Sequence, residues 1–114
     1  MRPDAPIAVC SRSFSGNQTL RGELSAYFSD VRFNDTGETL TGTRLVEFLT
    51  GREGAIVAME VIDVELISQL PSLRTISKYG VGLDRVDQQT LAHHGVTLAW
   101  SAGVNRNAVA ELTI

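Results

Sequence analysis

Gly80-Val81-Gly82 sets two glycines around one β-branched residue, with Asp84 and Asp87 close behind. Glycine admits positive φ and removes side-chain bulk. Successive N–H groups in such a turn can converge on one point and hold an anion. The chemistry on offer is therefore the binding of a small carboxylate or similar oxyanion. A tight turn ahead of a helix capped by Asp87 would use the same residues, and the loop alone leaves both readings open. A dinucleotide fingerprint is rejected. It needs G-x-G-x-x-G after a first strand, whereas Arg85 stands at the third glycine position and the turn follows the fourth apolar run. The Gly-Lys-Ser/Thr of a P-loop is also absent.

Other reactive side chains are weighed against plainer roles. His93 and His94 stand just before Gly95. Either would suit proton transfer, but the preferred reading is a helix C-terminus whose carbonyls and dipole they meet. Glu60 follows the third apolar run; a solvated loop acid is preferred over a catalytic one. Asp84 and Asp87 read as turn and cap residues. Lys78 and Tyr79 border the glycine turn and are candidates to face a cleft, as are Arg12 and Ser13 after the first run. Cys10 is the sole cysteine, so no internal disulfide forms, and it is expected to be buried and unreactive in a reducing cytoplasm. Trp100 is expected in the core.

These residues need elements to position them. Ile7–Cys10 and Ala55–Met59 are short continuous apolar runs, as expected for parallel strands covered on both faces, and Val31–Phe33, Arg74–Tyr79 and Val96–Trp100 complete five candidate strands. Between them Leu20, Leu24 and Phe28 share one helical face, with Asn17 or Ser15 as the cap. Leu45, Val46, Phe48 and Leu49 make a second helix stopped by Gly51. Asp63 caps a third that carries Val64, Ile67 and Leu70 and ends at Pro71. Asp87 caps a fourth, with Leu91 inward and Gly95 as its stop. The alternation predicts an open parallel α/β sheet of five strands, covered by helices on both faces. Asn105 or Asn107 then caps a last helical segment, Ala108–Ile114.

The 114 residues suit one domain. A net charge of −3 without a basic block argues against nucleic-acid or anionic-membrane partners. No apolar run reaches the roughly 18 residues of a membrane span, and the first residues lack the apolar core of a signal peptide.

Three ordered stretches, "ISKYGVGLDRVD", "HGVTLAW" and "GVNRNAVAELTI", resemble the D-isomer-specific 2-hydroxyacid dehydrogenases, the phosphoglycerate dehydrogenase group in particular. The likeness extends more weakly back through "VAMEVIDVELISQLPSL" and "CSRSFSGN". It implies a flavodoxin-like substrate domain with strand order 2-1-3-4-5. Residues 1–104 would be its first segment, and 105–114 the start of a helix leading into an NAD-binding domain. It further implies that the Gly80-Val81-Gly82 turn holds the substrate carboxylate through the amides of Val81 and Gly82. Asn105 would face the substrate and Val109 would touch the nicotinamide of NAD or NADP.

The family's GxGxxG and its Arg, Glu or Asp, and His catalytic set lie later in the chain than these segments. No catalytic residue is therefore assigned, and the chain is expected to be an inactive fragment of a cytoplasmic, homodimeric oxidoreductase acting on a 2-hydroxy or 2-oxo acid, with 3-phosphoglycerate as one candidate. Arg12, Lys78 and Arg106 are the candidate cations for a phosphate. A non-enzymatic acid-binding or subunit-interaction domain is the alternative. A receiver domain would need acids where Ser11 and Arg12 stand, and "SRSFSGN" only partly matches a flavodoxin phosphate loop. Ala108, Val109, Leu112 and Ile114 are expected to leave apolar surface uncovered and to make the chain associate.

Overall fold

The computed structural model describes residues 1–79, 83–99 and Leu112. Five strands are present: β1 (Ile7–Val9), β2 (Val31–Phe33), β3 (Gly54–Val57), β4 (Thr75–Lys78) and β5 (Thr97–Ala99). They form one all-parallel sheet in the order β2-β1-β3-β4-β5. The predicted fold class and strand order are both observed. β2 has the predicted bounds, β1 and β3 are one residue shorter than expected, and β4 is two shorter.

Five named helices alternate with the strands among residues 1–99: α1 (Arg12–Ser15), α2 (Gln18–Tyr27), α3 (Gly42–Leu49), α4 (Val64–Ile67) and α5 (Gln88–His93). Their starts are local chemistry. The side chains of Asn17, Asp63 and Asp87 accept from the N–H groups of Leu20, Leu66 and Thr90 at 3.0–3.1 Å, each satisfying a donor the helix leaves orphaned. Gly51 and Gly95 follow α3 and α5 at φ 78° and 70°, a conformation that costs other residues a steric penalty.

Two readings are corrected here. Ser15 caps nothing; it lies inside α1, a helix too short for periodicity to reveal, which Ser11 caps through Phe14 N–H at 3.1 Å. Val64 does not join the buried face of α4. It is exposed, and Leu66 packs inward beside Ile67 and Leu70.

The sheet divides the core into two layers. On one face Ala8, Cys10, Ala55, Val57 and Ile76 pack under Leu45 and Leu49 of α3, Leu66 and Ile67 of α4, and Leu91 of α5. On the other, Ile7, Val9 and Ile56 pack under Phe14, Leu24, Phe28 and Leu112. Alternation along each strand produces this division, because successive side chains point to opposite faces. Leu112 is 1% exposed, so it finds its cover within the chain rather than adding to an uncovered surface as expected. Gly80, Val81, Gly82, Trp100, Asn105, Arg106, Ala108, Val109 and Ile114 lie outside the described residues.

Candidate functional site

Strand order reverses direction between β1 and β3, the place where open α/β sheets bind ligands at the carboxyl ends of their strands. A cleft of about 290 Å³ opens there. Ser11, Arg12 and Ser13 enter it from the end of β1, Gly37 and Thr39 from the loop after β2, and Ala58, Met59 and Glu60 from the end of β3. The expected placement of Arg12 and Ser13 at this edge is thus observed. Ser11 and Ser13 bring their hydroxyl oxygens within 3.3 Å of each other, and Arg12 Nη1 donates to the Gly37 carbonyl at 3.3 Å.

Asn34, which sequence reasoning did not single out, holds the loop that brings Gly37 and Thr39 to the cleft. It is buried, and its Nδ2 donates to the carbonyls of Cys10 and Glu38 at 2.9 and 2.8 Å. Its Oδ1 accepts from the N–H and the hydroxyl of Thr36 at 3.1 and 2.6 Å. Every polar group of its side chain is used, as burial demands. The signal that could have found it is an Asn directly after a strand and two residues before Thr36, an Asx-turn pattern.

Glu60 reverses an expectation. In place of the expected solvated loop acid stands a carboxylate only 1% exposed. Its Oε1 accepts from the Ala58 N–H at 2.8 Å, a bond that closes the turn leaving β3. Lys78, at the end of β4, sends its Nζ to the Ala58 carbonyl. Partial burial pushes the Lys78 ammonium below its ordinary value, opposed by the nearby carboxylates of Glu60 and Asp84. Lys78 therefore belongs to the site's framework. Tyr79 does not face the cleft: its ring packs with the α2-side core, edge-on to Phe14.

The chain on both sides of the glycine turn is tied to the segment after β3. Tyr79 N–H donates to the Val57 carbonyl at 2.7 Å. Beyond the turn, Ile62 N–H donates to the Arg85 carbonyl and Asp87 N–H to the Ile62 carbonyl, both at 2.8 Å. Ile62 and Val86 form an isolated parallel bridge.

The remaining candidates take structural roles. Asp87 caps α5, and the Thr90 N–H holds its carboxyl below the ordinary value. His94 Nδ1 lies 2.9 Å from the Thr90 carbonyl at the end of α5, and His93 falls in the last turn. Cys10 is fully buried; loss of solvation pushes its thiol well up, and the charge of Glu60 adds to this. A larger groove of about 360 Å³ runs between α3 and α4. Of its two acids, Asp63 and Glu65, the first caps α4, and the groove lies off the switch point, so the smaller cleft is the better candidate. Among the described residues no three His, Cys, Asp or Glu side chains converge as a metal site, and no helix is long and apolar enough to cross a membrane.

Residues 7–113 match the model of the D-isomer specific 2-hydroxyacid dehydrogenase catalytic domain. The chain belongs to this family. It is similar to the erythronate-4-phosphate dehydrogenase of Acinetobacter baumannii (strain AYE), with 33% identity over 87 residues, which are 76% of this chain and 23% of that protein. It is also similar to the glyoxylate reductase of Thermofilum pendens, with 38% identity over 53 residues, 46% of this chain and 16% of that one. The chain thus spans a quarter or less of these curated relatives.

Among solved structures, a D-isomer specific 2-hydroxyacid dehydrogenase from Polaromonas sp. JS6 66 superposes with a TM-score of 0.76 at 28% identity, covering 84% of this chain and 30% of its own. The NAD+-bound 3-phosphoglycerate dehydrogenase of Entamoeba histolytica shares the fold, with a TM-score of 0.68 at 17% identity over 83% of this chain and 32% of its own.

Proposed function

We propose that this chain supplies the acid-binding part of an NAD- or NADP-dependent oxidoreductase that interconverts a D-2-hydroxy acid and a 2-oxo acid. Residues 1–104 would form the substrate-binding part, with 105–114 starting the helix towards an NAD-binding domain. The Val81 and Gly82 amides would hold the carboxylate, charge-assisted bonds being the stronger kind. Asn105 would face the rest of the acid, and Val109 the nicotinamide. The observation that supports this reading is that β4, which leads in sequence to the glycine turn, pairs in parallel with β3, whose exit residues Ala58, Met59 and Glu60 line the switch-point cleft.

The residues of this chain do not fit a dinucleotide cradle by themselves, because Arg85 occupies the third position of the glycine fingerprint. We therefore expect the chain alone to be inactive and to bind no cofactor tightly. The cytoplasm and a homodimeric assembly complete the proposal.

Titrating glyoxylate into ¹⁵N-labelled chain tests the reading. The amide signals of Gly80, Val81 and Gly82 should move in a saturable way while those of α3 stay still. Movement confined to other residues would overturn it. Saturable NADH oxidation by the purified chain with a 2-oxo acid would refute the expected inactivity.

A further inference from the structure

Around the switch-point cleft several hydrogen-bond acceptors are already taken. The Gly37 carbonyl accepts from Arg12 Nη1, the Cys10 and Glu38 carbonyls from Asn34 Nδ2, and the Ala58 carbonyl from Lys78 Nζ. Glu60, the acid of the lining, turns its Oε1 onto the Ala58 N–H at 2.8 Å and is 1% exposed. Lys78 lies near enough to offset its charge.

The donors are in surplus. A guanidinium carries several N–H groups in a planar fork. Among the described residues Arg12 commits only its Nη1, to Gly37 at 3.3 Å. Ser11 Oγ accepts from the Phe14 N–H and meets Ser13 Oγ at 3.3 Å. Whichever hydroxyl donates in that contact, the other keeps its proton for another partner.

Charge follows the same pattern. Asp35 and Glu38 flank Gly37 on the loop after β2, yet Asp35 pairs with Arg21 at 2.7 Å and Glu38 with Arg44 at 2.9 Å. Arg12 joins no ion pair among the described residues. It is the cation among the described residues of the lining. The cleft thus presents unmet donors and one uncompensated positive charge. That combination suits an oxyanion, because the arginine fork matches carboxylate and phosphate and its bonds to them are charge-assisted.

We propose that this cleft is an oxyanion site, in which the Arg12 guanidinium and a hydroxyl of the Ser11–Ser13 pair hold the phosphate or carboxylate group of a small acid. The site is additional to the carboxylate position proposed at Val81 and Gly82, and it stands or falls separately.

Inorganic phosphate and malonate are the probes, each titrated into ¹⁵N-labelled chain in place of sodium chloride at constant ionic strength. The Ser11, Arg12 and Ser13 amide signals and the Arg12 Nε–H signal should move in a saturable way. Saturation by phosphate alone identifies a phosphate ester as the ligand class. Saturation by malonate alone identifies a carboxylate, and saturation by both identifies the chemistry they share. Arg12→Gln should weaken binding about ten-fold, as loss of a charge-assisted bond does. Arg12→Lys keeps the charge without the fork and should fall between.

Failure of both probes to saturate would overturn the proposal, as would an Arg12→Gln variant that binds like the parent chain. Should Arg12→Gln not fold, an Arg12 Nε–H signal that stays still in the parent chain while other amides respond would do the same. The glyoxylate titration reads residues 80–82 and this one reads residues 11–13, so either site can fail without the other.

Discussion

The ring of Phe14 meets the ring of Tyr79 edge-on, with centroids 5.3 Å apart and planes at 85°. Phe14 lies in α1 beyond the end of β1, and Tyr79 follows β4, so the pair spans the intervening strand β3. It props the residue that precedes Gly80 from the face opposite Lys78. Edge-to-face pairs contribute about 0.5–1.5 kcal/mol beyond area burial. Phe14→Ala, at a fully buried site, should cost about 3–5 kcal/mol in urea unfolding. A double-mutant cycle with Tyr79→Leu should return a coupling near the range for the ring pair. No coupling would mean that the rings are neighbours without mutual support.

Asn34 should matter to the cleft more than its loop position suggests. Asn34→Ala removes the Nδ2 donor from the carbonyls of Cys10 and Glu38, the latter keeping the longer bond from the Thr36 hydroxyl at 3.4 Å. Leaving such groups unsatisfied costs about 1–3 kcal/mol. Stability should fall by that order, and amide exchange should rise across residues 35–40. A loss of stability without faster exchange there would argue against Asn34 as the holder of that loop.

Cys10 should be silent to thiol reagents in the native chain. Its side chain is fully buried and its thiol is pushed well up by loss of solvation, and only the thiolate reacts. Labelling by an aromatic disulfide should be negligible in buffer and complete in denaturant. Rapid native-state labelling would show that the core layer between β1 and α3 opens far more readily than its packing implies.

The Asp87 cap should make part of the stability depend on pH. Its carboxyl is held below the ordinary value by the Thr90 N–H. The native state therefore binds this proton less readily than the unfolded chain does. The stabilisation is complete above the ordinary carboxylate value and is lost as pH falls through the depressed one. Asp87→Ala should lower the urea midpoint at neutral pH, and the gap to the parent chain should close in acid. Asp87→Asn keeps a capping oxygen, so it should cost less and flatten this part of the pH profile. A gap that persists undiminished in acid would show that the cap works without its charge.

Features set by near neighbours in the chain were legible from the residues. Asn17, Asp63 and Asp87 cap their helices because a cap needs only an N–H three positions away. Short runs such as Ile7–Val9 and Gly54–Val57 became parallel strands because continuous apolar character suits a sheet covered on both faces. The family likeness supplied the strand order, which alternation alone leaves open.

Other features waited for the tertiary structure, because their causes lie far along the chain. Helix α1 is four residues long, too short for any period to show. Val64 lost its expected inward place, and Leu66 packs there instead, because the buried face of a one-turn helix is chosen by what lies beneath it. Glu60 looked like a solvated acid because nothing near it in sequence announces Lys78, which arrives at Ala58 only when β3 and β4 pair. Leu112 looked uncovered, yet it packs with Ile7 and Ile56, residues of strands laid down much earlier in the chain. Backbone preferences and caps are short-range and can be read locally. Burial of a charge or an apolar side chain is decided by whichever distant segments the sheet brings beside it.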